Sequence, residues 1–222
     1  MSWRNSLGRM VLALLLCFTM VWSGCSTSWI GEAEQIVAAL MPAAANLVAL
    51  VAALEGKGVS AADLQVIQSA GTQAGADLQL IQSLVAAYEK ADASAQPGIL
   101  NQIQSAINAV QGNLQGLLPA LHIKDTATQT KITAVIGILL SEVQSLAAIV
   151  PLVNPNATPA AVGVARAAVR KAAPLSAAEF VKSYNSTLTA KTGNAGLDRM
   201  TAGFQIHLHS KAERVASGGI LK

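Results

Sequence analysis

Through the middle of the chain, the hydrophobic positions fall into stripes with steps of three and four. Between Ser60 and Tyr88 they are Leu64, Ile67, Gly71, Ala74, Leu78, Ile81, Val85 and Tyr88. This spacing places them along one seam of a helix packed lengthwise on other helices. Within that stretch Asp63-Leu64-Gln65-Val66-Ile67-Gln68-Ser69 returns two heptads later as Asp77-Leu78-Gln79-Leu80-Ile81-Gln82-Ser83, so the same face is written twice. Three further stripes share the rule: Val37, Leu40, Ala44, Leu47, Val51 and Leu54; Leu100, Ile103, Ile107, Val110, Leu114 and Leu117; and Ile132, Ile136, Leu139, Val143, Leu146 and Val150.

The punctuation between the stripes is short. Glu55-Gly56-Lys57-Gly58 breaks the first helix from the second, and Ser60 with Asp63 makes a variant capping box for the second. Residues 91–98 connect the second to the third, with Pro97 near a helix start. Pro119 disturbs or ends the third, Asp125 or Thr126 caps the fourth, and Pro151 stops it. Pro42 lies inside the first run and is expected to kink or split it. Four such helices on short links predict an all-α fold, an antiparallel up-down-up-down four-helix bundle over residues 25–151.

After a linker at 152–159 the pattern changes, and residues 160–222 read as a basic, partly helical C-terminal appendage. Residues 160–173 form an Ala-rich helical pattern bearing Arg166, Arg170 and Lys171. Ser176 with Glu179 is a capping box for a further helix ending near Gly193. Beyond Leu197, Phe204, Ile206 and Leu208 alternate as in a strand, but a strand there has no partner, so helix or irregular structure is expected.

Charge divides at the same linker. Before it, nine acids from Glu32 to Glu142 face four lysines; after it, nine basic residues face Glu179, Asp198 and Glu213, which the overall +3 conceals. Either the tail docks on its own bundle with some charge complementarity, or it meets an anionic lipid or envelope polymer through Arg166, Arg170 and Lys171. The basic residues are scattered without interleaved aromatics, which argues against nucleic acid. Hydrophobic residues make up 52% of the 222 but charges only 12%, which excludes a long disordered protein. The interval 36–54 carries no charge, long enough to raise a membrane span; Ala-richness, Pro42 and Asn46 favour a buried bundle helix.

The N-terminus carries an address. Arg4 and Arg9 precede an apolar run from Met10 to Val21, and Trp22-Ser23-Gly24-Cys25 follows. This stretch resembles the signal peptide and lipobox of bacterial lipoproteins, with Trp22 where that pattern prefers Leu. The resemblance covers this segment alone. It implies that residues 1–24 are a signal peptide and that Cys25 carries diacylglycerol and an acylated amino group. Those acyl chains, palmitate among such fatty acids, would anchor the protein stably in a membrane. Ser26 after the cysteine implies outer-membrane sorting, with the protein facing the periplasm. Cys17 leaves with the signal, so Cys25 is the single mature cysteine and no internal disulfide can form.

Little else points to chemistry. The sequence has no nucleophile elbow, phosphate loop, dinucleotide fingerprint or zinc-protease motif. His207 and His209, with Glu213 or His122 as a third ligand, supply too few donors for a metal site and read as surface histidines. Asp63 and Asp77 stand about 20 Å apart on a helix, too far for joint acid–base work. No catalytic residue, metal or cofactor is expected. Two G-x-x-x-G spacings, Gly71–Gly75 and Gly112–Gly116, suggest close helix packing, with Gly75 and Gly116 level in an antiparallel hairpin, or else a small cavity at mid-bundle. Gln65, Gln68, Gln79, Gln82, Gln102, Gln104, Gln111 and Gln115 give these helices a neutral amide face suited to solvent or to self-association. The expected function is a non-enzymatic cell-envelope lipoprotein with a structural or partner-binding role. The alternatives are a membrane-inserting or pore-forming helical protein and a carrier of a small apolar ligand in the bundle core.

Overall fold

A computed structural model describes residues 28–55, 59–120, 122–151 and 176–207. Of these, 83% are helical and none lies in a strand, so helix packing alone organises what is described. Six helices appear among the described residues: α1 (Ser28–Ala53), α2 (Ala61–Lys90), α3 (Gln96–Ala120), α4 (Thr126–Ile149), α5 (Ala177–Thr189) and α6 (Ala195–Ala202).

The starts follow the expected caps. The Ser60 Oγ accepts from the Asp63 N–H at 3.1 Å and donates to the Asp63 Oδ2 at 2.5 Å, closing α2. Asp125, rather than Thr126, caps α4 by accepting from the Thr128 N–H at 2.8 Å. Ser176 and Glu179 form a reciprocal capping box on α5. That helix ends at Thr189, short of the glycine at 193, which takes a left-handed φ of +84° in the following turn. The alternating Phe204–Ile206 stretch begins just past α6 in an irregular tail.

α1 runs unbroken through Pro42, so the expected split does not occur. A proline removes one backbone donor and crowds the preceding turn; here both flanks of the helix are held by the core, with Leu40, Ala43 and Leu47 buried. Pro119 likewise sits inside the last turn of α3.

The four long helices pack in a ring, α1 on α2, α2 on α3, α3 on α4 and α4 on α1. Three contacts fix the antiparallel sense. Trp29 at the start of α1 meets Tyr88 at the end of α2 edge-on, with ring centroids 5.2 Å apart. Asn113 donates to the Asp77 carboxylate at 3.2 Å between α2 and α3. The Gln104 amide in α3 donates to the Pro151 carbonyl just beyond α4 at 3.0 Å. The bundle is therefore up-down-up-down. Every residue of the four predicted stripes is buried, including Leu64, Ile67, Leu78 and Ile81 of the repeated phrase.

α5 lies across α1 and α4, and α6 packs on α5. This explains a feature the four stripes do not contain. α1 buries Ile36, Ala39, Ala43 and Leu50 beside its predicted seam, and α4 buries Thr128, Lys131, Val135, Glu142 and Ser145 beside its own. Both helices are two-sided because they meet neighbours on two sides. Phe180, Tyr184 and Leu188 are the buried face of α5.

Candidate functional site

Two regions stand out, the outer face of the α2–α3 hairpin and the seam beneath α5 and α6. On the hairpin, the Asp77–Asn113 bond puts those residues level and brings Gly75 close to the level of Gly116, as the sequence predicts. The close approach expected there is not found. A Cβ added at Gly75, Gly112 or Gly116 would meet nothing within 4 Å. Only at Gly71 would it collide, and with the Val48 Cγ2 of α1 rather than with α3. The reason is orientation: Gly112 and Gly116 lie on the exposed side of α3, off its seam, and Gly75 opens toward the groove beside Pro42.

The glycines instead floor shallow grooves. One, about 740 Å³, runs between α1 and α2 past Met41, Pro42, Val48, Gly71 and Gly75. Another, about 470 Å³, runs between α2 and α3 past Val66, Ala70, Gln73, Gly112 and Gly116. Neither is lined by a charged residue. Val66, Leu80 and Leu118 are large apolar side chains exposed on these two helices, and α3 contains no charged residue at all. At one end the hairpin is tied to the next connection: the Asp63 Oδ1 accepts from the His122 N–H at 3.1 Å, with the His122 ring 3.6 Å away. Hydrogen bonds from Ser60 and His122 hold the Asp63 carboxyl below its ordinary range despite its burial.

The seam beneath α5 and α6 is organised by Lys131, one of two charged residues in α4. Its side chain is 3% exposed, and its Nζ donates to the carbonyls of Leu188 at 2.9 Å and Ala190 at 2.8 Å, and to the Thr201 Oγ1 at 2.9 Å. The two carbonyls lie at the C-terminal end of α5, where the last helical carbonyls lack partners and the helix dipole is negative. A cation from α4 thus caps α5. Thr201 of α6 donates to the same Leu188 carbonyl at 2.7 Å, joining three helices at one point. The Asp198 carboxylate stands 3.5 Å from the Lys131 Nζ, and hydrogen bonds from Thr192 hold Asp198 below the usual carboxylate range.

Further ties run to α1. The Asn46 amide donates to the Phe204 carbonyl at 2.9 Å, and the Tyr184 hydroxyl points at the Ala43 carbonyl at 3.4 Å. Burial pushes the Tyr184 phenol up. Asn185 clasps the Ile206 backbone in both directions, at 2.8 and 2.9 Å. The segment does dock on its bundle, and among the described residues no tail cation pairs with a bundle acid. The ion pair between them among the described residues is Lys131 of the bundle with Asp198 of the tail, the reverse of the expected polarity.

Eleven residues further along α4, Glu142 is fully buried, and neither carboxylate oxygen has a hydrogen-bond partner among the described residues. Burial raises its carboxyl from the ordinary value to about 8, helped by the like charges of Glu179 in α5 and Glu32 in α1.

Among the predicted site residues, Cys25 and the cluster Arg166, Arg170 and Lys171 lie outside the described residues, as do the linker and His209. His122 is exposed at Asp63 and His207 is exposed beyond α6. Among the described residues no group of three or more His, Cys, Asp or Glu is placed to hold a metal ion. Sequence reasoning passed over Lys131 and Glu142. Their signal was present: Thr128, Lys131, Val135, Glu142 and Ser145 form a second helical stripe beside the apolar one, at steps of three, four and seven.

No protein-family model matches the chain, and neither the curated proteins nor the solved structures contain a detectable match. Among the described residues two helices, Trp29–Ala53 and Thr126–Ile149, are long and apolar enough to cross a membrane by length and composition. Both are core helices of the bundle.

Proposed function

We propose that the protein is a non-enzymatic lipoprotein of the bacterial cell envelope. Acyl chains on Cys25 tether it to the outer membrane facing the periplasm, and its bundle holds an envelope partner. The observation that carries this reading is the use the fold makes of its two membrane-length helices. The buried faces of α1 and α4 are taken up by α2, α3 and α5, and their exposed positions include Glu32, Glu34, Gln35, Gln129 and Gln144. α4 also buries Lys131 and Glu142, and ionisable groups within a helix oppose insertion into lipid. Membrane attachment then falls to the anchor, and the charge-poor, groove-bearing face of α2 and α3 is the surface left for a partner protein or a second copy.

Membrane insertion by α1 and α4 is the second reading, favoured by their length and hydropathy. One experiment separates the two. The full chain and Cys25→Ala are expressed in a bacterium with a fatty-acid analogue, and membranes are washed with carbonate. The expected result is labelled, membrane-bound protein for the first and unlabelled, soluble, helical protein for the second. Equal labelling refutes the anchor, and retention of unlabelled Cys25→Ala in washed membranes supports insertion. Photo-crosslinkers at Val66 and Leu80 then locate the contact face, with Glu34 on α1 as the comparison position. Equal crosslinking from all three sites overturns the assignment to α2 and α3.

A further inference from the structure

The segment formed by α5 and α6 is held to the bundle very unevenly. Its polar ties fall at Tyr184 and beyond: Tyr184 and Phe204 on α1, and Leu188, Ala190 and Thr201 on Lys131. The first two turns of α5 rest on the bundle through the buried side chains of Ala177 and Phe180. Glu142 lies toward that end, close enough to Glu179 in the first turn of α5 to feel its charge. A carboxyl with no exposed surface and no donor to either oxygen is stable there only as the neutral acid, because an ionised carboxylate needs water or partners.

Among the described residues, the surroundings offer no compensation. α1 presents Glu32 and α5 presents Glu179, which feels the opposite charge of Lys182 on its own helix. α3, also packed on α4, carries no titratable residue. Lys131 on the same helix is eleven residues away, about 16 Å along the axis, and is committed to α5 and α6. Like charges from two sides therefore act with burial against ionisation.

We propose that α5 is a pH-sensitive lid over the seam between α1 and α4, fastened at its C-terminal end by Lys131 and closed at its N-terminal end only while Glu142 keeps its proton. Raising the pH removes that proton, and the lowest-cost response is for the start of α5 to lift and let water reach the carboxylate. The polar latch at Lys131 keeps the segment attached, so the lid opens from one end instead of dissociating. This inference rests on the fold alone and stands or falls independently of the lipid anchor.

The sign and size follow from linkage. Glu142 binds its proton more tightly when covered, so closure is favoured at low pH and weakens as pH rises from the ordinary glutamate value toward about 8. Across the two units from pH 6 to pH 8, a single group of this kind changes the closed-to-open ratio by tens of fold.

Hydrogen exchange of the full chain, read by mass spectrometry and corrected for the intrinsic pH dependence of exchange, tests this. In the native protein, protection of amides 178–184 should fall by tens of fold from pH 6 to pH 8, while that of α2 and α3 stays constant. Glu142→Gln and Glu142→Met should both flatten the dependence, the second without any buried polar group, and circular dichroism checks that each retains its helices. A native protein whose α5 protection does not vary with pH overturns the proposal. So does a slope that survives in both Glu142 variants, or one abolished by Glu179→Gln but not by them, since another group would then be titrating.

Discussion

Replacing Lys131 by methionine keeps the length and most of the apolar stem while removing the ammonium that joins α4 to α5 and α6. The size of the loss can be worked from what each partner keeps. The Leu188 carbonyl retains the Thr201 hydroxyl at 2.7 Å, so it is not orphaned. Ala190 is exposed, and water can replace the lost donor at its carbonyl. Asp198 keeps its three bonds from Thr192 and is itself 21% exposed, so the 3.5 Å ion pair is partly screened. Three charge-assisted bonds would contribute several kcal/mol if nothing replaced them; with these substitutes, and with the desolvation of the lysine relieved, about 2 kcal/mol remains. That corresponds to roughly a thirtyfold shift in the docking equilibrium of α5 and α6. Hydrogen exchange of the full chain reads it directly. Amides of α5 and α6 should lose about that factor in protection, while those of α2 and α3 keep theirs. If α5 and α6 exchange as slowly as before, Lys131 is not the latch. If all six helices loosen together, it supports the bundle and not the docking.

The other predictions concern separate sites. Gly71→Ala should destabilise the bundle by about 1–3 kcal/mol, because the new methyl meets Val48, and Val48→Ala should recover part of the loss. Gly75→Ala, Gly112→Ala and Gly116→Ala should each stabilise by about 0.5–1 kcal/mol in urea unfolding, since a helical glycine with open space loses only its entropy cost; destabilisation at all three would mean the helices are closer than their grooves suggest. Asp63→Asn should lower the urea midpoint at pH 7 and have little effect near pH 2: the Asp63 carboxyl is held low when folded, so its contribution exists above the ordinary aspartate value and fades as pH falls through the folded one. Glu142→Leu should act in the opposite direction. The folded carboxyl lies above its ordinary value, so its unfavourable contribution is absent at low pH and grows until about pH 8. The variant should therefore gain up to roughly 3 kcal/mol at pH 7 and nothing at pH 4 by the same denaturation assay.

Much of the architecture was legible because it depends on local periodicity. The steps of three and four from Leu64 to Tyr88 define a seam whatever lies opposite, and the same holds for the other three stripes. Caps such as Ser60–Asp63 and Ser176–Glu179 were readable because they close over three residues. Short links between four apolar seams then leave an antiparallel bundle as the natural packing. Where the reading failed, the outcome depended on residues far apart in sequence. The glycines at 75, 112 and 116 face open grooves because their helices are rotated to put Leu78, Ile107 and Val110 inward. Of the kink or split expected at Pro42, the split does not occur, because the core holds both sides of α1. The charge division at the linker could not foretell that, among the described residues, the pairing runs from Lys131 of the bundle to Asp198 of the tail.

The sequence by itself determined helix type, helix limits and the inward face of each of the four long helices, since these follow from spacing within about a turn or two. Only the tertiary structure decided that α1 and α4 are covered a second time, by a helix separated from α4 by 27 residues at 150–176. That covering turns Lys131 from a surface charge into a cap for α5 and buries Glu142 away from solvent. A side chain's ionisation and bonding depend on what surrounds it in space, and periodicity carries no record of what arrives from elsewhere in the chain.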